Sequence, residues 1–124
     1  MIARSELKTG KLLWWDPENG AGRPRPVVVV EIGPSYNNFY FRVKTFCSEL
    51  YLTKGLRERH LREFRECTLD VVEEFVREER ALLITAIANG SFTARGGRES
   101  EYPSLRIVTD YMRSVEELKK LVVG

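Results

Sequence analysis

Apolar and polar positions change their period once along the chain, near Cys67. Before it, apolar residues come in short bursts separated by turn formers. "KLLWWD" (11–16) follows Gly10 and is rich in strand formers. "PENGAGRPRP" (17–26) reads as a loop, because Pro, Gly and Asn dominate it. "VVVVEI", Val27 to Ile32, is the clearest strand, and "GPSYNN" after it reads as a turn. "FYFRVKTF", Phe39 to Phe46, alternates as a half-exposed strand does, and "ELYLT" (49–53) reads as a short fourth strand. Four or five short strands joined by turns predict a small antiparallel barrel.

After Cys67 the period becomes helical. Thr68 is placed to cap a helix with Asp70 in its first turn, and apolar residues recur at Leu69, Val72, Val76, Leu83 and Ile87. Asn89-Gly90 stops that helix, and "SFTARGGRESEYPS" (91–104) reads as a polar, glycine-rich loop. Pro103 suits the first position of a second helix with a stripe of Leu105, Val108, Met112, Val115, Leu118 and Val122. The pairs Glu73-Glu74 and Glu78-Glu79, alternating with Arg77 and Arg80, read as an exposed face.

The faces of the strands follow from alternation. Arg42 and Lys44 are expected to point outward and Phe41 and Val43 inward. In the first strand Leu13 and Trp15 share the inner side and Trp14 faces out. The second strand is apolar on both sides through Val30, so it is expected to be covered twice, with the helices over Val27, Val29 and Trp14.

The length of 124 residues fits one domain, and a hydrophobic content of 43% supports a core. The net charge of +2 is modest but unevenly placed. Through Glu66 there are twelve Lys and Arg against eight Asp and Glu; beyond it, eight against ten. An anionic partner is therefore expected at the first half. Cys47 and Cys67 form no CxxC, and the single His60 cannot complete a His/Cys zinc set, so no metal or other cofactor is expected. The first residues lack the apolar centre of a signal peptide, and no apolar run is long enough to span a bilayer. The expectation is a cytoplasmic protein with no membrane partner.

The stretch "LKTGKLLWWD…RPRPVVVVEIG…FYFRVKTF…ELYLTKGLRERHLREF" resembles the small SH3-like barrels of the KOW and Tudor kind, and short modules common in bacteriophage proteins. Gly10, Trp15, Val28, Val30, Arg42-Val43 and Leu61 occupy that pattern's places over about residues 7–66. The resemblance implies a tight helical turn at Leu56 to Arg59 and a last strand opening at Leu61. The fold class expected is α+β: an SH3-like barrel over residues 1–66 and a helical hairpin over 67–124 packed on it. "RPVVVV", Arg25 to Val30, also looks like the core strand of MazF/PemK-type toxin endoribonucleases. That likeness implies roles for Arg25 and Thr45 in an RNA cleavage site. The third strand departs from that family's pattern in carrying Arg42 and Lys44.

"GLRERHLREF" (55–64) holds Arg57, Arg59 and Arg62, a basic rim for phosphates. Against this, Glu58, Glu63 and Glu66 cancel much of the charge, as on an ordinary solvated face. Tyr40, Arg42 and Lys44 share the outer side of the third strand, and Tyr51 and Trp14 are expected beside them. Rings interleaved with cations suit single-stranded nucleic acid. Coverage by the helices, or pairing of the cations with Glu31 or Glu49, would remove that surface. Arg23 and Arg25 make the first loop basic. A Cys47–His60 nucleophile and base lacks an evident third group, and free cysteines are more often core residues.

The expected function is a non-enzymatic module that binds nucleic acid, or a protein of a nucleic-acid-handling complex. A MazF-like ribonuclease and an adaptor, phage accessory or assembly protein that docks or dimerises through its helical stripe are the alternatives.

Overall fold

The computed structural model describes residues 2–18, 22–33, 39–48, 53, 55–88 and 103–123. The strand expected at "ELYLT" lies outside the described residues except for Thr53, and the candidate Tyr51 and the loop at 91–102 lie outside them too.

The chain is α+β. Strands β1 (Leu12–Trp15), β2 (Arg25–Ile32), β3 (Phe41–Thr45) and β4 (Phe64–Glu66) form one antiparallel sheet in the order β3-β2-β1-β4. A 3₁₀ helix, Glu58–Glu63, delivers the chain into β4, and helices α1 (Leu69–Ala88) and α2 (Pro103–Leu121) follow. The free edge of β3 is occupied in part. Phe41 and Leu56 exchange backbone hydrogen bonds, Thr53 N–H donates to the Val43 carbonyl, and Val43 N–H donates to Thr53 Oγ1. These contacts supply the donors and acceptors that an exposed sheet edge would leave open.

Each face of the sheet has its own core. Leu13, Trp15, Val27, Val29, Phe41, Val43 and Phe64 cluster on one side with Ile2, Leu7, Phe39, Leu56 and Leu61. Leu12, Val28, Phe46 and Cys47 cluster on the other with Val72, Phe75, Val76, Tyr111, Val115 and Leu118 of the helices. The helices do cover the second strand, but over Val28 and not over Val27 and Val29. Leu13 pairs with Val27 in the β1–β2 ladder, and directly opposed residues share a face. A bulge between Val29 and Glu31 then shifts the register toward β3.

Both helix starts match their sequence signals. Thr68 Oγ1 accepts from Val71 N–H at 3.4 Å, and α2 opens at Pro103. The α1 stripe differs from the expectation. Leu69 is 48% exposed, while Phe75 and Glu79 are buried beside Val72, Val76 and Leu83. The last strand begins at Phe64, not Leu61; Leu61 is the buried residue of the 3₁₀ helix.

The end of α2 is tied back to the start of the sheet. Val123 N–H donates to the Gly10 carbonyl at 2.9 Å, and Gly10 N–H donates to the Val29 carbonyl at 2.7 Å. Gly10 has φ of 88°, and a Cβ there would lie 2.8 Å from the Leu121 carbonyl oxygen. Gly10→Ala is therefore expected to cost more than about 1 kcal/mol, through both the left-handed backbone and the collision. Urea unfolding followed by tryptophan fluorescence measures it; an unchanged midpoint would mean that this tie does not hold in solution.

Candidate functional site

The fold separates the sequence's candidate residues into distinct places. Trp14 lies under α1, half-buried, its ring edge-on to Phe75 at 6.2 Å. It belongs to β1, whereas Tyr40, Arg42 and Lys44 belong to or border β3, with β2 between them. The expected grouping of Trp14 with Tyr40 is thus corrected: the helices need the sheet face that Trp14 occupies.

Tyr40, Arg42 and Lys44 remain near the surface. The Arg42 guanidinium lies 5.7 Å from the Tyr40 ring centre, pairs with Glu31 at 3.3 Å, and Tyr40 OH donates to the same carboxylate at 3.0 Å. That bond and the Glu31 charge raise the Tyr40 pKa. Glu31 therefore offsets the Arg42 charge, and Lys44 is the exposed cation of the group. Arg57, Arg59 and Arg62 are exposed around the 3₁₀ helix. Arg62 pairs with Glu18 at 2.8 Å, and Arg57 donates to the Phe39 carbonyl at 3.4 Å. His60 Nδ1 accepts from Arg57 N–H at 2.8 Å, so that ring nitrogen caps this turn.

Among the described residues, buried polar side chains gather at the opposite end of β2. Arg25 is 5% exposed and Thr45 is fully buried. The ladder explains their meeting. Thr45 opposes Val27, so Arg25, two residues further, is its diagonal neighbour on the same face and within reach of a long side chain. Arg25 opposes Trp15, and its guanidinium sits 5.3 Å from that ring's centre. Phe64 stacks on Trp15 at 5.5 Å, and the Trp15 indole N–H donates to Glu63 at 3.2 Å. Arg25 Nε donates to the Arg23 carbonyl at 3.0 Å. Gly22, with φ of 111°, lies so close over the guanidinium that any Cβ there would strike it.

Cys47 joins this group. Burial raises its thiol pKa, against the opposing pull of Arg25 and Arg23 and of hydrogen bonding with Thr45 and Arg25. Tyr111 OH donates to the Phe46 carbonyl at 2.7 Å, and burial pushes its pKa up strongly. Arg23 leaves the cluster toward α1: it pairs with the Glu79 carboxylate and lies 4.9 Å from the Phe75 ring centre. Glu79 also accepts from Ser48 N–H at 3.1 Å.

No family model, curated protein or solved structure matches this chain.

Arg23, Arg25 and Thr45 stand out in the sequence, whereas Glu79 and Tyr111 carry no local signal of their place here. Glu79 was hidden by its charge, although it completes the helical spacing 72, 76, 79, 83. Tyr111 sits one position before Met112 and shares the buried stripe with Val115 and Leu118.

Proposed function

We propose that the protein is a nucleic-acid-binding module built on an SH3-like barrel, and that it holds backbone phosphates at the end of β2 through Arg23 and Arg25. The observation that carries this reading is the convergence of Arg25 with Thr45 beside Trp15, with Arg23 half-exposed next to them. Guanidinium forks match phosphate oxygens in geometry as well as charge. The excess of cations before Glu66 adds long-range attraction. The barrel assignment is supported by the strand order β3-β2-β1-β4, by the pairing of Thr53 and Leu56 along β3, and by the 3₁₀ helix before the last strand. No helix among the described residues is long and apolar enough to cross a membrane.

A titration of fluorescent single-stranded RNA, and of DNA of the same sequence, over a salt series tests the proposal. Each phosphate contact adds about −0.7 to the slope of log affinity against log salt, so two contacts give about −1.4. Absent or salt-insensitive binding sinks the reading.

The same convergence favours a second reading, a MazF-like endoribonuclease, since Arg25 and Thr45 are the positions that the family likeness implies. The end-points of the titration, run on a denaturing gel, separate the two. RNA cut by the wild type and left whole by Thr45→Val makes the protein a nuclease; RNA left intact by the wild type keeps it a binder.

A further inference from the structure

Glu79 is the one carboxylate buried among the described residues, at 6% exposure. It occupies a place in α1 where the helical period calls for an apolar side chain, between Val76 and Leu83. Burying a carboxylate is costly unless it is paired and hydrogen-bonded. Glu79 has both: Ser48 N–H donates to one oxygen, and the Arg23 guanidinium pairs with the other.

The surroundings of that pair make it more than a link between a loop and a helix. Arg23 is still 47% exposed, so a ligand in solvent can reach its guanidinium. The Arg23 carbonyl holds Arg25 Nε, and Gly22 packs against the Arg25 guanidinium. The position of Gly22-Arg23 over Arg25 is thus fixed at its far end by Glu79. Cys47, 8% exposed, lies within the same covered cluster.

We propose that Glu79 is a resident competitor for nucleic-acid phosphate: its carboxylate occupies the Arg23 guanidinium and keeps Gly22-Arg23 closed over Arg25, and a phosphodiester displaces it. This rests on the phosphate-binding reading above. The exchange breaks no covalent bond. Arg23 trades one anion for another, and Ser48 N–H continues to hold the released side chain.

The test uses the full chain carrying Glu79→Gln, which keeps the shape and the acceptor for Ser48 but removes the charge. A Cys67→Ser background leaves Cys47 as the sole thiol. Single-stranded RNA is expected to bind about tenfold more tightly than to the unsubstituted chain at the same salt, the loss of one competing charge-assisted bond. Maleimide labelling of Cys47, read by intact mass, is expected to quicken, while hydrogen exchange at the amides of Val27 to Val29 stays as slow as before and shows the sheet intact. Should Glu79→Gln lose that protection, Glu79→Leu completes the apolar stripe and carries the same two expectations. RNA binding that is salt-dependent in the wild type but unchanged or weaker in the folded variants overturns the competitor role alone, leaving the pair a structural clamp. So does unchanged labelling. RNA binding absent from the wild type and both variants overturns the phosphate-binding reading and this proposal together.

Discussion

Phe64→Ala is expected to destabilise the protein by about 3–5 kcal/mol, the usual cost of emptying a phenylalanine site in a packed core. The residue has no exposed surface although β4 is only three residues long. Its ring stacks on Trp15 with an interplanar angle of 7° and meets Phe41 edge-on at 5.4 Å. Both neighbours are held by longer strands, so neither can collapse into the void without breaking the β1–β2 or β2–β3 ladders. Such a loss is a large share of the roughly 5–15 kcal/mol that holds a small domain folded. It also reaches the candidate site, because Trp15 is the surface on which Arg25 rests. Phe64→Leu keeps most of the volume and is expected to cost less than half as much. Urea unfolding monitored by tryptophan fluorescence measures both variants. A loss below about 1 kcal/mol for Phe64→Ala would show that β4 is not packed as described.

The elements with strong local signals were legible in the sequence. Thr68 and Pro103 mark helix starts through chemistry that needs no partner elsewhere, and α1 and α2 begin beside them. The alternation of Phe41, Arg42, Val43 and Lys44 fixes the faces of β3 for a similar reason: polar side chains declare their side. Val27 to Val30 declare nothing, since every position is apolar. Their parity is set by Leu13 opposite Val27, a contact between residues fourteen apart that no local pattern encodes. The site divides in the same way. Arg25 stands out in the sequence through its neighbour Pro26 and a family likeness, but its meeting with Thr45 depends on the β2–β3 register. Glu79 was the harder case. Next to Arg77, Glu78 and Arg80 it looks like part of a solvated face, and only its partners Arg23 and Ser48, more than thirty residues away, make its burial tolerable. Charge predicts exposure well until another charge is brought in to meet it.

Arg25 carries the second large effect, and two substitutions divide its charge from its shape. Arg25→Gln removes the cation and the fork together. RNA affinity is expected to fall about ten- to a hundredfold, the equivalent of one lost charge-assisted contact, and the salt slope to become shallower by about 0.7. Arg25→Lys keeps the charge, so the slope is expected to stay near that of the wild type. Affinity still falls, because an ammonium lacks the planar fork that meets two phosphate oxygens side by side, and has no Nε to donate to the Arg23 carbonyl as Arg25 does at 3.0 Å. The lysine also gives up the planar guanidinium packed on Trp15. Fluorescence anisotropy over the salt series reads both quantities, and unfolding curves confirm that each variant is compared in its folded form. The decisive outcome is the pattern across the two. If Arg25→Gln and Arg25→Lys bind RNA like the wild type with the original slope, Arg25 is a core residue that braces Trp15 and Cys47, and phosphate must be held elsewhere. If both weaken binding and only Arg25→Gln flattens the salt dependence, a guanidinium contact to phosphate is the explanation that fits, since a purely structural role would not follow the charge.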